Sequence, residues 1–437
     1  MDLSQFSRSS AMVDSSSMFD EMMSSEGVSG RSSRCAFCKG SKMLCGKDRC
    51  PVLARFYSTS RVRAMTDRMD MDGASPPSVF VGQYGYPKVF VGPMIPPYHG
   101  DTSLLDTPER WVGLPIDDII EFRSSMVRGM HTVEVTDVEA PDRIVERTRE
   151  LALARTPPEA FAEFTKKPVG RLTVDGDAEP FGPSAPLRKF DISNVRFDQR
   201  LEKAFYDTDL LAKDAVVSLY GDGALISGIQ RAFSVGAFGV GRRRRFVPTR
   251  WSITAVDSLL GLHMLESTKT FPSIDEYRVY ETVSLDNRWA ILMMPSSWRY
   301  ELIEAWYPKT AWNPHSDRIA IMGDHEFFDG RTTYASIGGC YYSARMAVNE
   351  LLQRERRQAG VCIMRESHPG YILPVGVWNV RENVRAALRT KPWTFRTLQE
   401  ALTHVSGVMD IPMSRWIKNS AVLKDALYQR RIDDGWA

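Results

Sequence analysis

Two hydrophobic rhythms alternate along the chain. In "SVFVGQYGYPKVFVGPMIPPYHGD" (Ser78–Asp101), Val79 and Val81, then Val89 and Val91, recur at every second residue. That is the period of a half-buried strand, and Gly85 with Pro87 provides turn chemistry between the two runs. A hairpin is predicted, pairing "VFVG" at 79–82 with "VFVG" at 89–92. The rhythm then lengthens. From Pro115 to Met130, Ile116, Ile119, Ile120 and Met126 share one helical face. "DRIVERTRELALAR" at 142–155 predicts a second helix, and residues 157–166, after Pro157 and Pro158, a third. Residues 166–190 are rich in Pro and Gly and predict loops around a short strand.

Further on, apolar segments of strand or helix alternate with glycine breaks from Ala215 to Asp257. Within 287–307, "RWAILMMP" reads as strand and "YELIEAWYP" as helix. A polar stretch at 310–317 marks a boundary. Beyond it, Tyr341–Gln358 predicts an amphipathic helix with Ala344, Val348, Leu351 and Leu352 on one face. "AGVCIMRES" and "GYILPVGVWNVRENV" predict a strand pair. Helices interleaved with strands imply a mixed α/β (α+β) architecture. At 437 residues, two or three domains are expected.

Composition narrows the class. The chain is 43% hydrophobic and 25% charged, as soluble globular proteins are. No run approaches the roughly 20 apolar residues of a membrane span, so no membrane partner is expected. The first 33 residues are Ser, Met and acidic residues without a hydrophobic period, which predicts a disordered leader. They lack the apolar core of a secretory signal, so a cytoplasmic location with reduced thiols is expected. The net charge is only +2, which confines any nucleic-acid surface to a local patch.

Four of the six cysteines, Cys35, Cys38, Cys45 and Cys50, fall within "RCAFCKGSKMLCGKDRC". Gaps of two, six and four residues between them suit a tetrahedral thiolate site, with Gly40 and Gly46 easing the turns. Zinc is the expected cofactor; an iron–sulfur cluster remains open for the same four thiolates. A redox pair at Cys35 and Cys38 has no thioredoxin-like surroundings to support it. Cys340 and Cys362 lie in apolar segments and read as core thiols.

Other stretches carry candidate chemistry. Arg242, Arg243, Arg244 and Arg245, with Arg250 close behind, stand beside Phe246 and Trp251. Guanidinium groups suit phosphate oxygens and aromatic rings suit unpaired bases, although a solvated loop would show the same composition. Gly236, Gly239 and Gly241 lack the spacing of a dinucleotide loop. Thr249, Arg250, Trp251 and Asp257 would bind a nucleotide or flipped base if they line a pocket. Asp324, His325, Glu326 and Asp329 are dense enough for a catalytic divalent metal. Neighbours on a strand point to opposite faces, however, and an acidic turn explains them as well. Asp207, Asp209 and Asp214 read as a capped helix start.

The runs "CAFCKGSKMLCGKDRCP", "FVGQYGYPKVFVGPM" and "FVPTRWSITAVDS" (Phe246–Ser258) resemble, in this order, the archaeal Nre family of DNA repair proteins. The resemblance extends from about Cys35 to the C-terminus. It implies an archaeal protein of DNA repair with a zinc-finger-like motif and two family domains. One branch of the family also carries a tail that binds the PCNA sliding clamp. The last residues, "YQRRIDDGWA", fit such a tail: Gln429 for a polar pocket, Ile432 and Trp436 for an apolar one. Gly435 occupies the slot of a first aromatic residue, which predicts weakened docking. The resulting division is a leader at 1–33, a zinc module at 34–52, domains at 53–312 and 313–425, and a tail at 426–437. The expected function is a DNA repair factor that binds zinc, DNA and PCNA. The alternative is a repair nuclease, glycosylase or nucleotide hydrolase with a site near 249–257 or 324–329.

Overall fold

A computed structural model describes residues 50, 67–169, 182–310, 312–313 and 316–428. The leader, Cys35, Cys38, Cys45, Gln429, Ile432 and Trp436 lie outside the described residues. The fold is mixed α/β, with two six-stranded sheets and eleven α-helices among the described residues.

The first sheet contains β1 (Asp70–Ala74), β2 (Val79–Val81), β3 (Lys88–Ile95), β4 (Val127–Glu134), β5 (Glu159–Phe164) and β6 (Ser184–Ser193), in the order β1-β5-β6-β4-β3-β2. Its pairs are antiparallel except β4 with β6. The predicted hairpin is present: Val81 faces Val91, and Val79, Val81, Val89 and Val91 are all buried. Between the strands run α1 (Ile116–Ser124) and α2 (Arg143–Leu153). Asp142 caps α2 by accepting the Val145 N–H at 2.9 Å.

The helix expected at 157–166 is instead strand β5. Ala160, Ala162 and Phe164 are buried in strict alternation, and β1 and β6 take up its hydrogen bonds on both sides. Pairing on both edges outweighs the helical preference of its Ala and Glu residues.

The stretch 215–257 resolves as helices joined by loops, with no strand. α3 (Gln199–Tyr206), α4 (Ala212–Gly221) and α5 (Ile226–Ser234) pack with the start of α6 (Thr249–Thr268) against the first sheet, in one core containing Phe190, Ile229, Val256 and Leu260.

The second sheet takes β7 (Tyr277–Ser284), β8 (Asn287–Met294), β9 (Arg299–Trp306), β10 (Ala320–Glu326), β11 (Gly360–Ser367) and β12 (Trp393–Phe395), in the order β10-β9-β11-β8-β7-β12. The expected division at residues 312 and 313 falls between β9 and β10, neighbours in this sheet. "YELIEAWYP", expected as helix, is the interior strand β9. It is buried on both faces, so its pattern lacks alternation, and its acids at i and i+3 imitate a helical face.

One face of this sheet carries α7 (Gly339–Glu355) and α8 (Trp378–Leu388), with Tyr300, Leu302, Ile363, Tyr341, Val348 and Val384 in their shared core. The second half of the expected strand pair, around "VWNVRENV", is therefore helix α8. The opposite face is covered by α9 (Leu398–Val408), α10 (Met413–Asn419) and α11 (Ala421–Tyr428), around Cys362, Met364 and Trp416.

Three helices bind the halves together, and they run in the same direction. A side chain at Gly339 would meet Thr254 Oγ1 at 3.1 Å; seven residues further along each helix, Gly261 lies against Met346. Gln353 then reaches Ser267 at 3.3 Å. Likewise the start of α7 abuts Val377, and Glu350 meets Arg385 further along. All three N-termini therefore open at the same end.

Candidate functional site

That common end is a cleft of about 880 Å³. α6 supplies Arg250, Trp251, Thr254 and Ser258, and Gln83 reaches in from the hairpin. The second sheet supplies Glu304, Trp306, Met322 and Arg365. Trp312, Tyr334 and the 336–340 turn close one side, and Tyr371, Gly376 and Val377 the other.

The hairpin and the start of α6, two of the sequence runs that carry the family resemblance, meet at this cleft. The Val81 N–H donates to Thr249 Oγ1 at 2.9 Å, and the Tyr86 and Trp251 rings lie 5.1 Å apart. Thr249 is thereby a structural tether. Arg250 and Trp251 are exposed and line the cleft.

At the floor, Arg365 is buried and pairs with Glu304 at 2.6 Å. Its guanidinium also donates to Asn287 Oδ1 at 2.9 Å and lies 4.8–5.4 Å from the rings of Trp289, Trp306 and Tyr371. A charge so deep is held only by a carboxylate and aromatic faces together. Cys340 stands beside this pair. Burial pushes its thiol up and Glu304 adds to the rise, so it is protonated at neutral pH and is no activated nucleophile. Cys340 is a half-buried wall residue, whereas Cys362 is fully buried in β11.

The other candidate residues separate. Asp257 faces away from the cleft's opening into the helix bundle, fully buried, where Arg381 Nη1 donates to both its oxygens at 2.9 Å and Gln230 to one. Arg244 is buried as well. Its guanidinium donates to the carbonyls of Gly239, Phe205 and Asp207 at 2.6–2.8 Å, while Arg242, Arg243 and Arg245 are exposed. Asp207 accepts the N–H groups of Asp209 and Leu210 in the loop before α4, and Asp214 sits in the first turn of α4, but the helix start itself has Leu211 at its N-cap and no side-chain cap.

The cluster at 324–329 does not converge on one point. Glu326 is buried and accepts from Arg345, Trp298 and Tyr341 at 2.7–3.0 Å. Asp324 pairs with Arg331 at 2.9 Å and accepts the Ser336 N–H, and Asp329 is exposed. Among the described residues, Glu366, His368 and Asp410 form the one group of three with metal-ligand geometry. Its donors are already employed: Glu366 accepts the N–H groups of Asp410 and Ile411, and Arg288 pairs with Asp410. It locks the turn before α10.

The second half of the cleft was not anticipated from sequence. Trp306, Trp312, Tyr334, Tyr342, Tyr371, Glu304 and Arg365 are spread over 67 residues and gather only through sheet pairing and the loops. The one local signal is the glycine pair in "SIGGC", immediately before a helix without a side-chain cap. Gly338 has φ of +67°, where a β-carbon is strained.

The family description "Archaeal Nre, N-terminal" matches residues 44–313, and "Archaeal Nre, C-terminal" matches residues 326–434. The DNA repair protein NreB of Archaeoglobus fulgidus is 42% identical over 391 residues, 89% of this chain and 97% of the relative. The DNA repair protein NreA of the same organism is 35% identical over 85% of this chain and 93% of its own. NreA of Haloferax volcanii is 33% identical over 78% and 84%. No solved structure matches the chain. Among the described residues, no helix is long and apolar enough to cross a membrane. With both family regions matched in order across nearly the whole chain, it belongs to the archaeal Nre family of DNA repair proteins.

Proposed function

We propose that this protein serves DNA repair by binding DNA at the three-helix cleft, with a zinc module at its N-terminal side and a PCNA-docking tail. The cleft carries the DNA part. It combines the exposed Arg250 with Trp251 and further aromatic walls, the pairing of charge and stacking that unpaired DNA requires. Arg242, Arg243 and Arg245, exposed on the loop that leads into α6, extend the basic surface. The donor set Cys35, Cys38, Cys45 and Cys50 suits zinc, which would clip a short segment that cannot bury its own core. Gln429, Ile432 and Trp436 supply the polar and apolar contacts of a clamp-docking peptide.

Fluorescence anisotropy with single-stranded and duplex DNA over a salt series tests the first part. Affinity falls with salt, and an Arg242, Arg243 and Arg245→Ala triple variant flattens the slope. An unchanged slope in that variant, or DNA binding indifferent to salt, removes the basic loop from the proposal. A PCNA pull-down with residues 428–437 deleted tests the tail; undiminished capture rejects it. Elemental analysis of the purified chain and a Cys35→Ser variant reads the metal directly, and iron in place of zinc rejects the zinc assignment.

A further inference from the structure

We infer that the tip of the β2–β3 hairpin receives the junction between paired and unpaired DNA, with the Tyr84 ring stacked on the last base pair. This deepens the DNA-binding reading and rests on it. Two tyrosines stand where a hairpin turn needs only small or polar residues. Tyr84 is 75% exposed and Tyr86 47%, so neither ring is spent on the core. Phe90 on β3 and Trp251 at the start of α6 are exposed as well. Apolar rings gathered on a surface and rimmed by polar groups mark an interaction site.

The rings are held out on a fixed support. The Gly82 N–H donates to the Phe90 carbonyl at 2.8 Å and the Lys88 N–H to the Gly85 carbonyl at 2.9 Å, which closes the turn. Gly85 has φ of +84°, and a β-carbon there would stand 2.9 Å from the Lys88 oxygen, so the turn depends on glycine. The bond from the Val81 N–H to Thr249 Oγ1 anchors the hairpin on α6, and the Tyr86 ring leans on Trp251. Tyrosine has few rotatable bonds, so stacking its exposed face costs little conformational freedom.

What flanks the tip says what it meets. On one side, Gln83 and Trp251 lead into the cleft, whose rings suit unpaired bases. On the other side, the Val135 N–H donates to the Pro87 carbonyl at 3.0 Å, and the Phe246 N–H to the Val135 carbonyl at 2.9 Å. The loop that carries the exposed Arg243 and Arg245 therefore runs alongside the turn, and its guanidinium groups suit backbone phosphates. Lys88 lies opposite Glu134 across β3 and β4 and adds no net charge, so the cationic character is that of the loop. Continuous duplex hides its base faces from a ring, and a single strand has no final base pair to cap. A junction presents duplex phosphates, an open base-pair face and a free strand together, and a protruding ring covers such a face.

Fluorescence anisotropy of the full chain on a labelled forked duplex, competed by a single strand of the same length and by relaxed circular duplex, tests the inference. The fork binds about tenfold more tightly than either competitor, because stacking at the junction adds to phosphate contacts. Tyr84→Ala weakens fork binding about tenfold and leaves binding of the two competitors within about twofold. Tyr84→Phe, which keeps the ring, binds like the parent, and an unchanged thermal midpoint shows that Tyr84→Ala is folded. Fork affinity unchanged in Tyr84→Ala, or lost equally on all three DNAs, overturns the junction site. A Tyr84→Phe variant as weak as Tyr84→Ala overturns it too, because the ring would then not be what binds. If Tyr84→Ala is silent while DNA binding stays salt-dependent, the hairpin inference fails and the DNA reading stands. If the parent chain binds none of the three DNAs, the DNA reading fails and the inference with it.

Discussion

The same three helices present two opposite electrostatic environments. In their interior, every charge has a counterpart: Asp257 with Arg381, Arg381 and Arg385 with Glu382, and Arg385 with Glu350, whose carboxylate also accepts from Tyr220. At their N-terminal end the first turns carry no acid, and an exposed arginine adds to the positive pole. The fold neutralises charge where it is buried, and where the cleft opens it places an exposed arginine on helix starts that carry no acid. Compensation inside fixes how the helices pack, because breaking a buried pair costs about 3–5 kcal/mol.

The sharpest break of that contrast is Asp257→Ala. It strands the Arg381 guanidinium in a site where both partners are buried, and such a loss costs about 3–5 kcal/mol. Urea denaturation reads it as a lower midpoint. An Asp257→Leu and Arg381→Met double variant recovers most of the loss, since an apolar pair can replace a buried ion pair. If the single variant unfolds at the parent's midpoint, the interior network is not what holds the helices.

Next in size is Arg244→Ala. The guanidinium serves three backbone carbonyls, so its removal costs about 2–3 kcal/mol, again by denaturation. Arg243→Ala, one residue away and exposed, leaves the midpoint within about 0.5 kcal/mol.

That pair shows how much was legible in the sequence. A run of four arginines announced itself, but nothing local tells which one turns inward; that is set by where the carbonyls of Gly239, Phe205 and Asp207 fall. Asp257 misled for the same reason. It belongs to a motif with Arg250 and Trp251, yet it lies seven residues after Arg250, two turns further along α6, inside the bundle rather than at its mouth. The hairpin and α2 were readable because their apolar period matches one buried face; α7 was readable as a helix, but it is buried on nearly all sides from Tyr341 to Leu352 rather than on one face. β5 and β9 were not, because long-range pairing made them strands. Glu301 and Glu304 look like a helical charge face, but Glu301 accepts the N–H groups of Ala421 and Val422 at the start of α11, and Glu304 holds Arg365. Half of the cleft was visible as Arg250 and Trp251. The other half comes from segments that only the second sheet and its loops bring together.

The wall of the cleft also has its own pH dependence. Burial alone would raise the Asp324 carboxyl above its ordinary 3.8. The Arg331 guanidinium and the N–H groups of Ser336 and His325 outweigh that and hold it at about 2. A carboxyl depressed on folding stabilises above its unfolded value and loses that contribution as pH falls through the folded one. The window here runs from about pH 4 down to about pH 2, and the contribution is about 1–2 kcal/mol after allowance for its partial exposure. Thermal midpoints across that window fall less steeply for Asp324→Asn than for the parent chain. Parallel curves would mean that Asp324 does not hold the 336–340 turn in place.

Smallest in stability, and most telling for the contrast, is Arg250→Ala. Arg250 is exposed, and an exposed substitution shifts the unfolding midpoint by less than about 0.5 kcal/mol. It can even rise slightly, because a cation at a helix N-terminus opposes the dipole by about 0.3–1 kcal/mol. Evolution of a merely structural helix would favour an acid at that position. A stability neutral or improved in Arg250→Ala, together with a DNA affinity about tenfold weaker, shows a charge placed against the local preference of the helix for the sake of a ligand. If instead stability falls by more than about 1 kcal/mol and DNA affinity stays the same, Arg250 belongs with the compensated charges of the interior, and the two ends of the bundle are electrostatically alike.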